Sequence, residues 1–258
     1  MSIFKGIVEI FKVFFRLGLK KTRTRFFIIF SLSPILLIIL IKTLEMGGLL
    51  SRGSTAEFSA NMISFLFFNF LIPIMAIFLG SGVIKEEVDD KTLCYLTSRP
   101  LSKMSILMGK FSAYFSIFFL VIATSICFLS LIANFNNLTN IHLYIEILGF
   151  NLAAFLSILA YSSVFMLVST LFNRMILFSF LYVFGWENIV QYLPGTTQKL
   201  TIAHYVKSLL PFGTSQGSFL ITQFEPTPKL WAVIILLVIT GISLFFSGYL
   251  FNKKEYVL

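Results

Sequence analysis

The sequence predicts an all-α, polytopic membrane protein, and three observations support this fold class. Of its 258 residues, 57% are hydrophobic and only 12% are charged, whereas about 25% are charged in soluble domains. The apolar residues gather in six runs, each near the roughly 20 residues that a helix needs to cross a bilayer core. The basic residues lie mainly between these runs. A chain of this composition has too little polar surface to fold as a soluble domain.

We predict a transmembrane helix at each of the six apolar runs. The fifth run is the weakest, because it contains Glu187. Lys42 lies near the end of the first run, where its long side chain is expected to reach the membrane surface. Only Asn173 and Arg174 separate the fourth run from the fifth, which predicts a tight antiparallel hairpin. The approximate bounds are residues 26–44, 58–84, 110–133, 143–172, 175–193 and 230–251.

The distribution of Lys and Arg predicts the orientation of the chain. With the N-terminus inside, 15 of the 20 basic residues fall in cytoplasmic segments and 5 fall outside. Cytoplasmic segments of membrane proteins are enriched in Lys and Arg. The sequence therefore predicts a multi-pass protein of the cell membrane with both termini in the cytoplasm. Contact with the lipid surface also explains the net charge of +9, so no nucleic-acid partner is expected.

An amphipathic helix is predicted ahead of the first span, within residues 1–25. On a helical wheel the charged side chains fall on one face, and Phe, Ile and Val side chains fall on the opposite face. This pattern is typical of a helix that lies in the membrane interface. A soluble helix packed on a partner is the alternative, but the basic cluster at residues 20–25 leads straight into the first span. The charged face consists of Lys5, Glu9, Lys12, Arg16 and Lys20.

The longest outer segment, residues 194–229, is predicted to contain a short amphipathic helix. Its apolar residues repeat at helical spacing, and the helix is expected to end at Pro211 because proline cannot continue it. We favour a packed cap over the helix bundle, with a ligand-binding lid as the alternative. The repeating residues are Leu200, Ala203, Val206 and Leu210.

The segment between the second and third spans, residues 85–110, carries a more specific pattern. A cluster of acids lies where the second span ends, an apolar patch follows, and the proline of Arg99-Pro100 favours a turn. This pattern predicts a cytoplasmic helix–turn–helix that transmits force from a soluble partner. An ordinary solvated loop fits the composition equally well. The acids are Glu86, Glu87, Asp89 and Asp90, and the apolar patch is Leu93, Tyr95 and Leu96.

Residues 82–110 resemble the signature of ABC-2 type transporter permeases. That signature has an acidic pair, a Thr-Leu step, apolar residues, a Ser-Arg-Pro or Thr-Arg-Pro turn, and then Ile-Leu and Gly-Lys. The chain departs from it at Lys91, where the family often has glycine, which implies less local flexibility. The matching residues are Glu86-Glu87, Thr92-Leu93, Tyr95-Leu96, Ser98-Arg99-Pro100, Ile106-Leu107 and Gly109-Lys110, in this order.

The resemblance implies one ABC-2 transmembrane domain over residues 1–258, docked on two copies of an ABC ATPase. It also implies a second permease subunit, in a homodimer or a heterodimer. ATP and Mg²⁺ are expected in the ATPase, because this chain lacks a Gly-x-x-x-x-Gly-Lys-Ser/Thr loop. No cofactor is expected in this chain. The predicted coupling residues are Glu86, Glu87, Thr92, Leu93, Arg99 and Pro100.

Other candidate sites are few. Carboxylates inside membrane spans are functional candidates by default, so Glu187 and the adjacent Asn188 are a candidate substrate path. Glu146 is expected to lie at the outer interface. The two histidines, His142 and His204, form no zinc motif, so no metal site is expected.

The sequence therefore predicts the permease subunit of an ABC transporter, moving an unidentified substrate by alternating access. The alternative is an ATP-independent secondary transporter or channel, which would need paired charges deep in the spans and broken helices at mid-membrane. Only Glu187 points that way. An intramembrane enzyme would need a nucleophile–base pair or a metal cluster, and the sequence has neither pattern.

Overall fold

The computed structural model describes residues 3–49, 51, 53–89, 103–172, 174–192, 196–211 and 225–253. In this part of the chain 91% of the residues are helical and no strand occurs, which confirms the all-α prediction. In chain order the α-helices are α1 (Ile3–Lys20), α2 (Thr22–Met46), α3 (Ser54–Met62), α4 (Ile72–Asp89), α5 (Lys103–Ala133), α6 (Ile141–Leu171), α7 (Met175–Phe180), α8 (Asn188–Tyr192), α9 (Ile202–Leu209) and α10 (Lys229–Lys253).

Two π-helical stretches connect α-helices without a break. Ile63–Leu71 joins α3 to α4, and Leu181–Glu187 joins α7 to α8. The second and fifth apolar runs are therefore each one continuous helix that changes its hydrogen-bonding pattern part-way along.

Five helices are long and apolar enough to cross a membrane. A shorter apolar helix, Met175–Val190, lies where the fifth span is predicted. Five of the six predicted spans thus coincide with helices of spanning length, and the fifth predicted span, residues 175–193, stays a prediction. The five are Thr22–Met46, Thr55–Val83, Met104–Ala133, Ile141–Leu171 and Lys229–Lys253.

Helix α6 lies at the centre of the bundle. It is 61% buried over its most apolar window, whereas α2 and α10 are 28% buried over theirs. It packs against α4, α5, α7, α9 and α10. Small residues let neighbouring backbones come close to α6, as is typical of helices in membranes. Its buried small residues include Ala153, Ala154, Ser157, Ala160, Ser162 and Ser163.

The predicted hairpin between the fourth and fifth apolar runs is present. Helix α6 ends at Leu171, where Phe172 turns to an extended conformation, and α7 begins at Met175. The rings of Phe172 and Phe178 lie 4.3 Å apart, so the chain folds back on itself within a few residues.

Lys42 does not extend to the surface as predicted. It is buried, and its Nζ lies 3.4 Å from Oε2 of Glu45, which is also buried. The Glu45 carboxylate also accepts hydrogen bonds from the Gly53 amide, at 3.0 Å, and from the Thr55 hydroxyl. The prediction was wrong because Glu45, three residues on, binds the ammonium group within the protein.

Gly80 of α4 lies very close to the backbone of α6. A Cβ atom at this position would lie 2.7 Å from the carbonyl carbon of Phe165. This clash involves backbone, which cannot rotate away, so a larger residue has to push α4 off α6.

We therefore expect Gly80→Ala to destabilise the bundle by about 1–3 kcal/mol, the usual range for overpacking. The measurement is the thermal unfolding of the purified protein in detergent. Gly241→Ala is the matched control, because a Cβ atom there meets nothing within 4 Å. Equal melting temperatures for the two variants would contradict the close approach.

Candidate functional site

The predicted coupling segment begins at the end of α4. Glu86 and Glu87 lie in the last turns of this helix, which ends at Asp89, and α5 begins at Lys103. Helices α4 and α5 pack against each other, so the segment between them is tied to the bundle on both sides. The other predicted coupling residues, Thr92, Leu93, Arg99 and Pro100, lie outside the described residues.

Helix α1 packs along the first half of α5. A Cβ atom at Gly109 would lie 2.8 Å from Cβ of Ile10 and 3.0 Å from the carbonyl oxygen of Ile7. At the other end of α1, a Cβ atom on Gly18 would lie 2.6 Å from Cδ1 of Ile117. At Gly109 the contact involves backbone and a Cβ atom, which favours glycine there and holds α1 closely against α5, whereas at Gly18 the end of the Ile117 side chain has room to shift.

Lys110 adds an electrostatic contact to the same interface. Its side chain is only 1% exposed, and its Nζ lies 4.9 Å from the centre of the Phe14 ring on α1. An ammonium group over an aromatic face is attracted by the negative ring surface. The Gly109-Lys110 pair of the signature therefore joins α1 to α5. The sequence marked this pair only by resemblance, because nothing in its spacing indicates the contact with α1.

Glu187 lies at the other end of the bundle, and it is 2% exposed. Its Oε2 accepts a hydrogen bond from the Tyr161 hydroxyl at 2.7 Å. Its Oε1 accepts from the backbone amides of Ile202, at 3.1 Å, and Ala203, at 3.4 Å. The Tyr182 hydroxyl lies beside the same carboxylate. The buried carboxyl group is thus supplied with hydrogen-bond donors from α6 and α9.

The amides that bind Glu187 are the first two of α9. Amides in the first turn of a helix have no partner within the helix, and the N-terminus attracts a negative charge. Thr201 completes the cap, because its Oγ1 accepts a hydrogen bond from the His204 amide at 3.3 Å. Glu187 therefore fixes the start of α9 to the C-terminal part of the fifth apolar run.

The predicted helix in residues 194–229 is present as α9. Ala203, Val206 and Leu210 of the predicted apolar face are buried, but Leu200 is 67% exposed. Leu200 differs because it precedes the cap residue Thr201 and ends a short 3-10 helix, Thr196–Leu200.

Two hydrogen bonds join α9 to the chain just before α10, and a third, within α9, involves the same serine. His204 Nε2 lies 2.9 Å from Thr227 Oγ1, and the Thr227 amide donates to Ser208 Oγ at 3.1 Å. The Ser208 hydroxyl in turn donates to the His204 carbonyl at 2.9 Å. Helix α9 is thus held by α6, by the fifth apolar run and by the residues that lead into α10.

Two cationic groups on α9 have altered pKa values. Burial lowers the pKa of Lys207 to about 8, although the Glu187 carboxylate acts in the opposite direction. Burial also lowers the pKa of His204, and the positive charges of Lys199 and Lys207 add to this effect. His204 is therefore neutral at pH 7.

The two π-helical stretches meet in the bundle. The rings of Phe70 and Phe184 lie 6.1 Å apart, which brings Ile63–Leu71 and Leu181–Glu187 into contact. Asn188, predicted with Glu187 as a substrate path, donates from Nδ2 to the Val183 carbonyl at 3.0 Å. Its side chain thus supports the irregular backbone of the second stretch. π-Helical turns are found frequently at functional sites.

A family model described as ABC-2 family transporter protein matches residues 19–256. The chain belongs to this family. The match covers more than nine-tenths of the sequence, and it identifies a multi-pass membrane permease of an ABC transporter. ABC-2 permeases generally work with an ABC ATPase. A comparison with curated proteins finds no match.

In this permease, removing the Glu187 carboxylate should release α9. Glu187→Ala leaves the Tyr161 hydroxyl and the amides of Ile202 and Ala203 without an acceptor, and each buried donor costs about 1–3 kcal/mol. We expect amide hydrogen exchange in α9 to accelerate by at least about tenfold, since about 1.4 kcal/mol corresponds to that factor.

Two further variants give this measurement its controls. Glu187→Gln keeps an acceptor oxygen and should recover part of the protection. Glu57→Ala removes an exposed carboxylate in the first turn of α3 and should leave α9 unchanged. Unaltered exchange in Glu187→Ala would show that α9 does not depend on this carboxylate.

Acid should also weaken the docking of α9. Because the pKa of docked His204 is below its usual value of about 6.5, the undocked state binds the proton more tightly. Stability of the docked state should therefore fall as the pH drops through about 6.5. Hydrogen exchange in α9, corrected for intrinsic rates, should rise between pH 7 and pH 5. The rise in exchange should be smaller in His204→Gln. An equal rise in this variant would show that a titratable group other than His204 causes the pH dependence.

Proposed function

We propose that this permease pairs with a second permease subunit and docks two ABC ATPase subunits. The assembly moves its substrate across the cell membrane by alternating access. The observation that carries this proposal is the family match over residues 19–256, which includes the predicted coupling segment. ATP and Mg²⁺ are bound by the ATPase subunits, and this chain supplies the pathway.

The proposed topology has six spans and places both termini in the cytoplasm. The continuous helix of α7, the second π-helical stretch and α8 serves as the fifth span, in addition to the five helices of spanning length. An even number of spans keeps 15 of the 20 basic residues on the cytoplasmic side. Helix α1 then lies at the inner membrane surface, beside the first half of α5.

In the proposed coupling mechanism, α4 and α5 move together as the two arms on either side of the coupling segment. ATPase closure displaces the segment between Asp89 and Lys103, and both arms move with it. Helix α1 follows α5, because the two helices pack closely at Gly109 and Lys110. The acids Glu86 and Glu87 set the direction of the first arm and face basic groups of the partner.

The proposed substrate path follows the two π-helical stretches. They contact each other through Phe70 and Phe184, and the second stretch ends at Glu187, next to Asn188. In the second stretch the Asn188 side chain binds the Val183 carbonyl in place of a regular α-helical backbone hydrogen bond. A local rearrangement there therefore does not have to break a regular helix. The Glu187→Gln variant distinguishes a role in transport from a role in docking α9. It removes the carboxylate, so transport should fall, but it keeps an acceptor oxygen, so α9 should stay partly docked.

The decisive experiment reverses the acids at the end of α4. We expect Glu86→Lys with Glu87→Lys to reduce copurification of the ATPase with the tagged permease. Truncating an interface hot spot typically costs about 2 kcal/mol or more, which is roughly thirtyfold in affinity. Membrane abundance should stay unchanged, because acids contribute little to topology.

Glu255→Lys, near the C-terminus, is the matched control on the same predicted side of the membrane. It should retain the ATPase as well as the unmodified chain does. If the double variant and the control behave alike at equal abundance, the coupling assignment is wrong. If no ATPase accompanies the unmodified permease from its native membrane, the ATP-independent transporter becomes the better explanation.

A further inference from the structure

A groove of about 250 Å³ opens between α9 and the start of α10. It lies at the end of the bundle that the topology places outside. Its lining includes a basic side chain, an acidic side chain, two aromatic rings and an aliphatic side chain. These lining residues are Lys199, Glu225, Tyr205, Trp231 and Ile235, with Thr227 between them.

The walls of the groove are held in place by hydrogen bonds. The Tyr205 hydroxyl donates to the Lys199 carbonyl at 2.7 Å. Thr227 is held through its amide by Ser208 and through its hydroxyl by His204. Thr227 is also flanked by two prolines, which restrict the backbone. The groove is therefore formed before any ligand arrives, which lowers the entropic cost of binding.

The two charged groups in the groove do not neutralise each other. Lys199 and Glu225 are both exposed and line the same space. Among the described residues, the ion pair in the structure is Lys42 with Glu45, at a distant position. A ligand that satisfies both groups at once carries an anionic group and a cationic group, which is the chemistry of a zwitterion.

The position of the groove along α10 indicates the source of that zwitterion. Trp231 is 61% exposed and lies two residues after the helix begins at Lys229. Tryptophan near the end of a spanning helix lies at the level of lipid headgroups. Ile235, one turn further along, extends the groove toward the hydrocarbon region. Tyr205 and Trp231 also offer aromatic faces that attract an ammonium group.

We propose that this groove binds the headgroup of a zwitterionic phospholipid from the outer leaflet. Lys199 binds the phosphate. Glu225 and the aromatic faces bind the ammonium group, and Ile235 contacts the start of an acyl chain. The site depends on the placement of α10 in the membrane and not on the ATPase. A failure of lipid binding therefore leaves ATPase copurification unchanged.

Trp231 supplies a direct reporter. The chain has two tryptophans, so Trp186→Phe leaves Trp231 as the sole source of tryptophan fluorescence. This variant is reconstituted into phosphatidylglycerol vesicles that contain increasing fractions of a lipid with brominated acyl chains. Brominated phosphatidylethanolamine should quench Trp231 at lower mole fractions than brominated phosphatidylglycerol does. Equal quenching by the two lipids would overturn the proposal.

Substitutions then test each charge. Glu225→Gln should reduce the preference for phosphatidylethanolamine by up to about fivefold, the factor for about 1 kcal/mol at an exposed ion pair. Lys199→Gln should weaken quenching by both lipids, since both carry a phosphate. Lys229→Gln is the control, because Lys229 begins the same helix without lining the groove. An unchanged preference in Glu225→Gln would overturn the assignment.

A competition experiment distinguishes a lipid ligand from a soluble zwitterion. Free phosphoethanolamine is added to the vesicles at millimolar concentration. If the ligand is the lipid, quenching by brominated phosphatidylethanolamine should persist, because the membrane holds the lipid headgroups at high local concentration. If the free compound relieves the quenching, the groove is a site for small soluble zwitterions and the lipid assignment fails.

Discussion

Close packing around α6 is the constraint on which the rest of this permease depends. Helices in a bilayer gain little from hiding apolar side chains, since lipid is as apolar as the protein interior. Their association has to come from backbones that approach closely and from polar groups that find partners. Gly80 and the small residues of α6 provide that approach. They also set where α4 lies against α6.

At each end of the bundle a helix is attached by a different kind of contact. At the predicted cytoplasmic end, the contact of α1 with α5 is mainly steric, and one aromatic–cation contact completes it. At the other end, α9 packs its apolar face on the bundle, and hydrogen bonds to Glu187 fix its start. A tight apolar contact moves as a unit, whereas a hydrogen-bonded contact responds to pH and charge.

The sequence predicted the fold class and most helix positions because hydropathy over about 20 residues is a strong local signal. It did not predict the burial of Lys42, because the geometry that joins Glu45 to Gly53 and Thr55 is not visible in composition. Leu200 was assigned to the wrong side of the Thr201 cap, since apolar spacing alone does not locate a helix start.

The candidate site was predictable only in part. The acids of α4 were visible as a cluster in the sequence, but their coupling role was predicted only by resemblance to a family signature, which carries no geometry. Glu187 was found because a carboxylate in an apolar run is unusual. Its partners Ile202 and Ala203 begin α9, and the sequence does not specify where that helix packs against the bundle. No hydropathy pattern distinguishes the π-helical stretches from the α-helices around them.

The π-helical stretches have a consequence for how the helices can turn. In the first stretch the Ile72 amide bonds the Phe67 carbonyl, five residues back rather than four. A change from this ladder to an α-helical one shifts the register by one residue, which rotates one half of the helix against the other by roughly 100°. Every backbone group keeps a partner before and after, so the rotation exposes no peptide to lipid. Side chains beyond the stretch would exchange their neighbours while the helix stayed whole.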